Sequence, residues 1–164
     1  MVDNVALKIV NGNLLDMADN GEFDVIMHGC NCFNTMGSGI ARQIRERYPA
    51  AYAADTSYGR AGDASKLGNW SEATVNNGNL IVINAYTQFN FNQDGTKTDH
   101  FQYASFASVI EKMIAMHGTK RIGIPALGMG LAGGDATAIM SMIEDFNRAV
   151  IPKSGSVTLV LFQP

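Results

Sequence analysis

Short apolar runs of strand length alternate along this chain with segments of helical period, and that alternation restricts it to a layered α/β domain. The runs occupy residues 5–10, 23–27, 80–86, 121–125 and 157–162. Between them, Ile40, Ala41, Ile44 and Tyr48 recur at helical spacing, with Gly37, Ser38 and Gly39 in front and Pro49 as a stop. Phe106, Val109, Ile110, Met113 and Ile114 make a stronger stripe, with Asp99 and Gln102 as a capping pair before it and Gly118 after it. Ile139, Met142, Ile143 and Phe146 form a third, for which Asp135 is the expected N-cap.

Residues 50–79 are polar and glycine-containing, with Trp70 the one large anchor. They read as an irregular or short helical stretch, followed by a hairpin-like turn at Asn76, Asn77 and Gly78 that enters the Leu80 strand. Residues 90–100 read as a polar surface excursion. No repeat or linker interrupts the 164 residues, so one domain over residues 1–164 is expected.

Charged residues make up 16% of the chain and apolar ones 46%, a balance that excludes intrinsic disorder. The formal net charge of −3 argues against coating of nucleic acid by phosphate neutralisation, but leaves room for a local anion site built from backbone N–H groups. No window approaches the length of a membrane span, and no basic-then-apolar leader opens the chain, so a cytosolic protein is expected. Cys30 and Cys32, one residue apart, would close too small a ring for a good disulfide and should be reduced.

Two strands each run into a glycine-rich loop that opens a helix. The first passes from His28 through Gly29, Cys30, Asn31, Cys32, Phe33, Asn34, Thr35, Met36, Gly37, Ser38 and Gly39 to Ile40. The second passes from Pro125 through Ala126, Leu127, Gly128, Met129, Gly130, Leu131 and Ala132 to Gly133 and Gly134. Both should lie beyond the carboxyl ends of their strands, where open α/β sheets hold ligands. Glycine lets main-chain N–H groups turn towards an anion, and the helix that follows adds a positive dipole end. Two such loops together can hold a diphosphate.

Residues 128–133 match the dinucleotide pattern, but the acid that would hold a ribose falls near Gly155, where no acidic residue stands. A nicotinamide enzyme is therefore disfavoured, and the Gly-Lys-Ser/Thr ending of a P-loop is absent. A cysteine phosphatase needs an arginine six residues after its thiolate, where Met36 and Ser38 stand instead. The two thiols fit better as buried small residues under the loop, and with His28 they lack zinc spacing.

The first-loop string from His28 to Ala41, followed by Arg47, Tyr48 and Pro49, resembles the macro domain, most closely its ADP-ribose-1''-phosphate phosphatase branch. Ile124 to Gly134 resembles that family's second phosphate loop, and Val10 to Leu15 its first strand end. The resemblance implies a three-layer α/β/α sandwich with a mixed central sheet, binding ADP-ribose over the strand ends without a cofactor or metal. It implies ligand contacts from Gly12, Asn13 and Leu14; from Asn31 and Asn34 along the distal ribose; from Thr35 to Ile40, Ala126 and Gly128 to Leu131 around the phosphates; and from Tyr86 near that ribose. Where many members carry an aspartate for the adenine amino group, this chain has Asn13, whose carbonyl can still accept that bond.

Removal of a terminal phosphate needs charge stabilisation and proton transfer, for which His28 at the strand end and Asp135 after the second loop are the candidates. The expected function is thus hydrolysis of ADP-ribose-1''-phosphate. Two alternatives stay open: cleavage of the ester joining ADP-ribose to a protein or nucleic acid, or ADP-ribose binding without turnover. For the ester reaction the related branch uses a lysine and an aspartate; Lys66 lies in roughly that region, but the aspartate position holds Ala132.

Overall fold

The computed structural model describes residues 6–37, 39–90, 100–129 and 132–162. Its strands are β1 (Lys8–Gly12), β2 (Val25–Cys30), β3 (Trp70–Val75), β4 (Leu80–Tyr86), β5 (Arg121–Pro125) and β6 (Ser156–Phe162). Its helices are α1 (Leu14–Asp19), α2 (Gly39–Arg47), α3 (Pro49–Ser57), α4 (Tyr103–His117) and α5 (Ala136–Val150). The six strands form one sheet in the order β1-β6-β5-β2-β4-β3. Every neighbouring pair is parallel except β3 with β4, so the sheet is mixed as expected.

Strand alternation sorts the core into two layers. Val25, Met27, Ile83, Ala85, Ile122 and Ile124 pack against Phe106, Val109 and Met113 of α4 and Ile139, Ile143 and Phe146 of α5. Ile26, Cys30, Val82 and Tyr86 face the other way, onto α1, α2 and α3 through Leu15, Ile44 and Ala51. This is the predicted three-layer sandwich.

Local differences from the sequence reading have local causes. Pro49 does end α2, but it also occupies the first turn of α3, where its missing N–H costs nothing. The turn at residues 76–78 joins β3 to β4 with left-handed backbone at Asn76, Asn77 and Gly78, so the hairpin expected there exists, and β3 is its unanticipated first arm. Helix α1 was also missed, being one and a half turns long and begun by the Asn13 cap. Gln102 is the N-cap position of α4 but makes no side-chain capping bond, and Asp99, its expected companion, lies outside the described residues. Gln88 and Phe101 form an isolated antiparallel bridge, and most of the surface excursion expected over residues 90–100 lies outside the described residues.

Candidate functional site

Strands β2 and β5 are adjacent and parallel at the centre of the sheet, which puts the loops that leave them side by side at the carboxyl ends of the strands. Gly39 and Ile40 from the first loop and Pro125 and Ala126 from the second line a single cavity of about 380 Å³. Leu14, Gln43, Val160 and Phe162 complete it. A larger recess of about 600 Å³ lies at the opposite, amino ends of the strands, but its charged groups pair with one another: Arg47 with Asp16 and Asp19, and Arg121 with Asp24.

The first loop is strained and braced. Asn34 and Met36 adopt left-handed backbone, at φ 59° and 40°, and Met36 is buried nonetheless. Asn31 holds the turn from within, donating from Nδ2 to Thr35 Oγ1 at 2.8 Å and accepting from the Phe33 N–H at 2.8 Å. The Cys32 N–H reaches Phe89 O and the Gly62 N–H reaches Cys32 O, while Arg45 donates to Thr35 O at 3.3 Å. The N–H groups of Thr35, Met36 and Gly37 donate to no described residue, which leaves them available to an anion.

The second loop is held from outside. Ala132 O accepts from the N–H groups of His100 and Phe101, and the Gly134 N–H closes onto Gly128 O at 2.7 Å. Gly128 takes φ +76°, with the Phe101 ring where a Cβ would go. Asp135 caps α5 by accepting from the Ala138 N–H at 3.1 Å, and its own N–H donates to Tyr103 Oη. Ser38, Gly130 and Leu131, expected to touch phosphate, lie outside the described residues.

Three residues expected at the site are engaged with partners inside the protein. His28 does not open on the cleft: it is wholly buried on the α2/α3 side, with Nε2 2.7 Å from Asn84 Oδ1. Because Asn84 spends its Nδ2 on Ala51 O and Ser71 Oγ, its Oδ1 accepts, and His28 is the neutral tautomer with its proton on Nε2. Burial, only partly offset by the Asn84 bond, lowers its pKa to about 4. Asp135 is exposed on the α5 side, so the two candidates sit in different layers with no hydrogen bond between them. Tyr86 is likewise buried, stacked on Tyr58 at 5.3 Å and donating to Asp55 Oδ1 at 2.6 Å, because strand alternation turns it into the α2/α3 layer, beneath the first loop. Asn13 spends its Oδ1 on the N–H groups of Leu15 and Asp16, at 3.1 and 3.0 Å, and has no acceptor left for an adenine amino group.

Lys66 is a buried charged residue that sequence reasoning left unplaced. Although only 2% exposed, it donates from Nζ to Asn34 Oδ1 at 2.7 Å and lies 5.6 Å from the centre of the Tyr86 ring. Asp55 is near enough for the Lys66 charge to oppose the upward push that burial gives its carboxyl. The signal was a lysine in a short polar segment preceded by Asp63, which caps the 3-10 turn of residues 64–66. Cys30 and Cys32 are free and buried, as expected, and burial raises both thiols, Cys32 to about 11. Among the described residues no group of three His, Cys, Asp or Glu side chains is placed to hold a metal ion, and no helix is long and apolar enough to cross a membrane.

No family model matches the chain. It is 29% identical, over 86% of its own length and 90% of the relative's, to an uncharacterised 17.5 kDa protein from the tk-vs intergenic region of Enterobacteria phage T4. A stretch of 47 residues is 38% identical to the ADP-ribose 1''-phosphate phosphatase of Aspergillus oryzae, covering 29% of this chain and 22% of that enzyme. Among solved structures, the macrodomain of Thermus aquaticus DarG superimposes with a TM-score of 0.67 at 18% identity, over 96% of this chain and 98% of the other. A Trypanosoma brucei macrodomain in complex with ADP-ribose superimposes with a TM-score of 0.64 at 12% identity, over 96% of this chain and 63% of the other. The chain has the macrodomain fold.

Proposed function

We propose that this protein binds ADP-ribose across the two loops and hydrolyses the phosphate of ADP-ribose-1''-phosphate. One observation carries the binding half: two loops with unpaired or glycine-rich backbone, delivered by neighbouring parallel strands, line one cavity. The base occupies that cavity and the diphosphate lies against the N–H groups of residues 35–37 and the glycines of 128–134. The terminal ribose then falls beside Asn34, whose Oδ1 is taken by Lys66, so that its Nδ2 is free to donate to a hydroxyl or phosphate oxygen. Gly12, Leu14 and Met129 keep the contact roles that the family resemblance implies.

The hydrolytic half is supported by the short match to a phosphatase of that name. Its chemistry would rest on main-chain N–H groups that stabilise the transferring phosphoryl group, with the exposed Asp135 carboxylate at the second loop to order the attacking water. His28, buried and neutral, supports the loop from behind without touching the ligand.

Hydrolysis of an ADP-ribosyl ester is favoured by a different observation, the buried Lys66 amine next to Asn34. Calorimetric titration with ADP-ribose tests the shared site, and absence of binding at millimolar ligand overturns the whole reading. Phosphate release from ADP-ribose-1''-phosphate, or loss of the label from an ADP-ribosylated carboxylate that Lys66→Ala abolishes, then decides between the two reactions.

A further inference from the structure

ADP-ribose-1''-phosphate differs from ADP-ribose by a dianion on the terminal ribose, and in the proposed site the main-chain N–H groups of the two loops are taken by the diphosphate. A second anionic group needs a cation of its own. Lys66 touches Asn34, but its side chain is buried and its Nζ is committed to Asn34 Oδ1 and Cys32 O. Arg45 donates to Thr35 O, and its guanidinium lies 4.0 Å from the centre of the Tyr52 ring. Arg42 pairs with Glu46, and Arg47 with Asp16 and Asp19. Among its described residues the second loop carries no cation, and the helix cap that follows it is the Asp135 carboxylate.

Arg60 is placed differently. It is exposed and donates to no described residue. The turn that carries it is fastened to the first loop at two points. The Gly62 N–H donates to Cys32 O at 2.7 Å, and a Cβ on Gly62 would stand 3.1 Å from Cε1 of the Phe33 ring. A Cβ on Gly59 would stand 3.1 Å from Cε of Lys66, the side chain whose Nζ holds Asn34. Gly59 and Gly62 take left-handed φ values of +66° and +81°, and the Asp63 N–H donates to Arg60 O, which folds residues 60–63 into a tight turn with Arg60 at its start. Asp63, the carboxylate of that turn, gives its Oδ1 to the N–H and Oγ of Ser65. The guanidinium of Arg60 therefore stands uncommitted beside the segment that holds Asn34.

We infer that Arg60 is the specificity-determining residue for the terminal phosphate: its guanidinium closes on the phosphate at C1'' of a ligand whose ribose lies beside Asn34, and so sets the phosphorylated compound apart from plain ADP-ribose. Its planar fork takes two phosphate oxygens at once, which an ammonium cannot. This rests on the proposed binding of ADP-ribose and names the group that selects its phosphorylated form.

The test is calorimetric titration of the intact protein, at slightly alkaline pH, with ADP-ribose and with its 1''-methylenephosphonate, which carries the charge but has no ester to hydrolyse. The unaltered protein should bind the phosphonate about tenfold or more tightly than ADP-ribose, as one charge-assisted contact provides. Arg60→Ala should bring the two dissociation constants within about threefold of each other, with the affinity for ADP-ribose and the melting temperature unchanged. Arg60→Lys, which keeps the charge and loses the fork, should retain an intermediate preference. An Arg60→Ala protein that still prefers the phosphonate as strongly, an equal loss of both ligands in that variant, or an unaltered protein without the preference overturns the inference and leaves the proposed binding of ADP-ribose standing. Failure of both ligands to bind the unaltered protein removes the proposed function and this inference with it.

Discussion

Gly128→Ala probes the second loop through two separate costs that the structure locates at one atom. At φ +76° an alanine is held in the left-handed region, which disfavours a side chain by about 1–2 kcal/mol. Its Cβ would also stand 2.4 Å from Phe101 Cδ1 and 2.5 Å from Cε1, inside any real contact. The ring cannot swing aside easily, because Phe101 is 3% exposed, packs edge-on against Tyr103 and Phe106, and is tied to Ala132 O through its own N–H. Overpacking of this kind costs about 1–3 kcal/mol, so the total is about 2–5 kcal/mol. At this chain length that lowers the melting temperature by roughly 4–20 °C. Urea unfolding gives the free energy directly, and a double-mutant cycle with Phe101→Leu separates the parts: trimming the ring should recover the steric share and leave the backbone share. A loss below about 1 kcal/mol, or a cycle without coupling, would refute the packing of Phe101 over Gly128.

Acid should remove stability through His28. Between its unfolded value near 6.5 and its folded value of about 4 the unfolded chain holds a proton that the folded chain does not, so stability rises with pH across that window, by about 3 kcal/mol in all. His28→Gln, which can still donate to Asn84 Oδ1 but does not titrate, should flatten urea midpoints measured from pH 4 to 7 by that amount; an unchanged slope would show that other groups carry it. At the head of α5, Asp135→Ala should cost about 1 kcal/mol by loss of the cap, and Asp135→Ser should restore most of it. Phosphate release should be lost in both variants, and full turnover by the serine protein would confine Asp135 to capping.

Elements carried by periodicity were legible from the sequence. Residues 80–86 and 121–125 are strands with the bounds that their apolar runs predict, and α5 begins after the cap that Asp135 announces. The elements that escaped are those whose signal is tertiary. Of the six residues of β3, burial alternates only weakly, because this edge strand pairs on one side and owes its form to the hairpin with β4. Within the site, the two loops could be read from their glycines, since backbone conformation is what glycine encodes. The roles of His28, Tyr86 and Asn13 could not, because residue type says that a group can donate or accept, and only the fold says to what. His28 and Tyr86 belong to the strand parity that faces α2 and α3, which a motif at a strand end does not reveal.

That parity also explains why so many polar groups lie buried behind the first loop. Asn84 Nδ2 donates to Ser71 Oγ, Ser71 to Tyr86 Oη, and Tyr86 to Asp55 Oδ1, so the chain begun by His28 runs with one polarity towards a carboxylate. Such a chain polarises each bond in the same sense and strengthens it, whereas a single reversed member would leave a buried donor facing a donor. Its negative end needs a cation, and Lys66 supplies one from the 3-10 turn of residues 64–66. A lone buried ammonium would cost several kcal/mol, yet here Asn34 Oδ1, Cys32 O and the Tyr86 ring surround it. Two of those three partners belong to the first loop. The left-handed backbone at Asn34 is thereby held through its side chain by the Lys66 charge. The histidine that sequence position suggests as a proton donor stands four hydrogen bonds away from Asp55, at the far end of that chain.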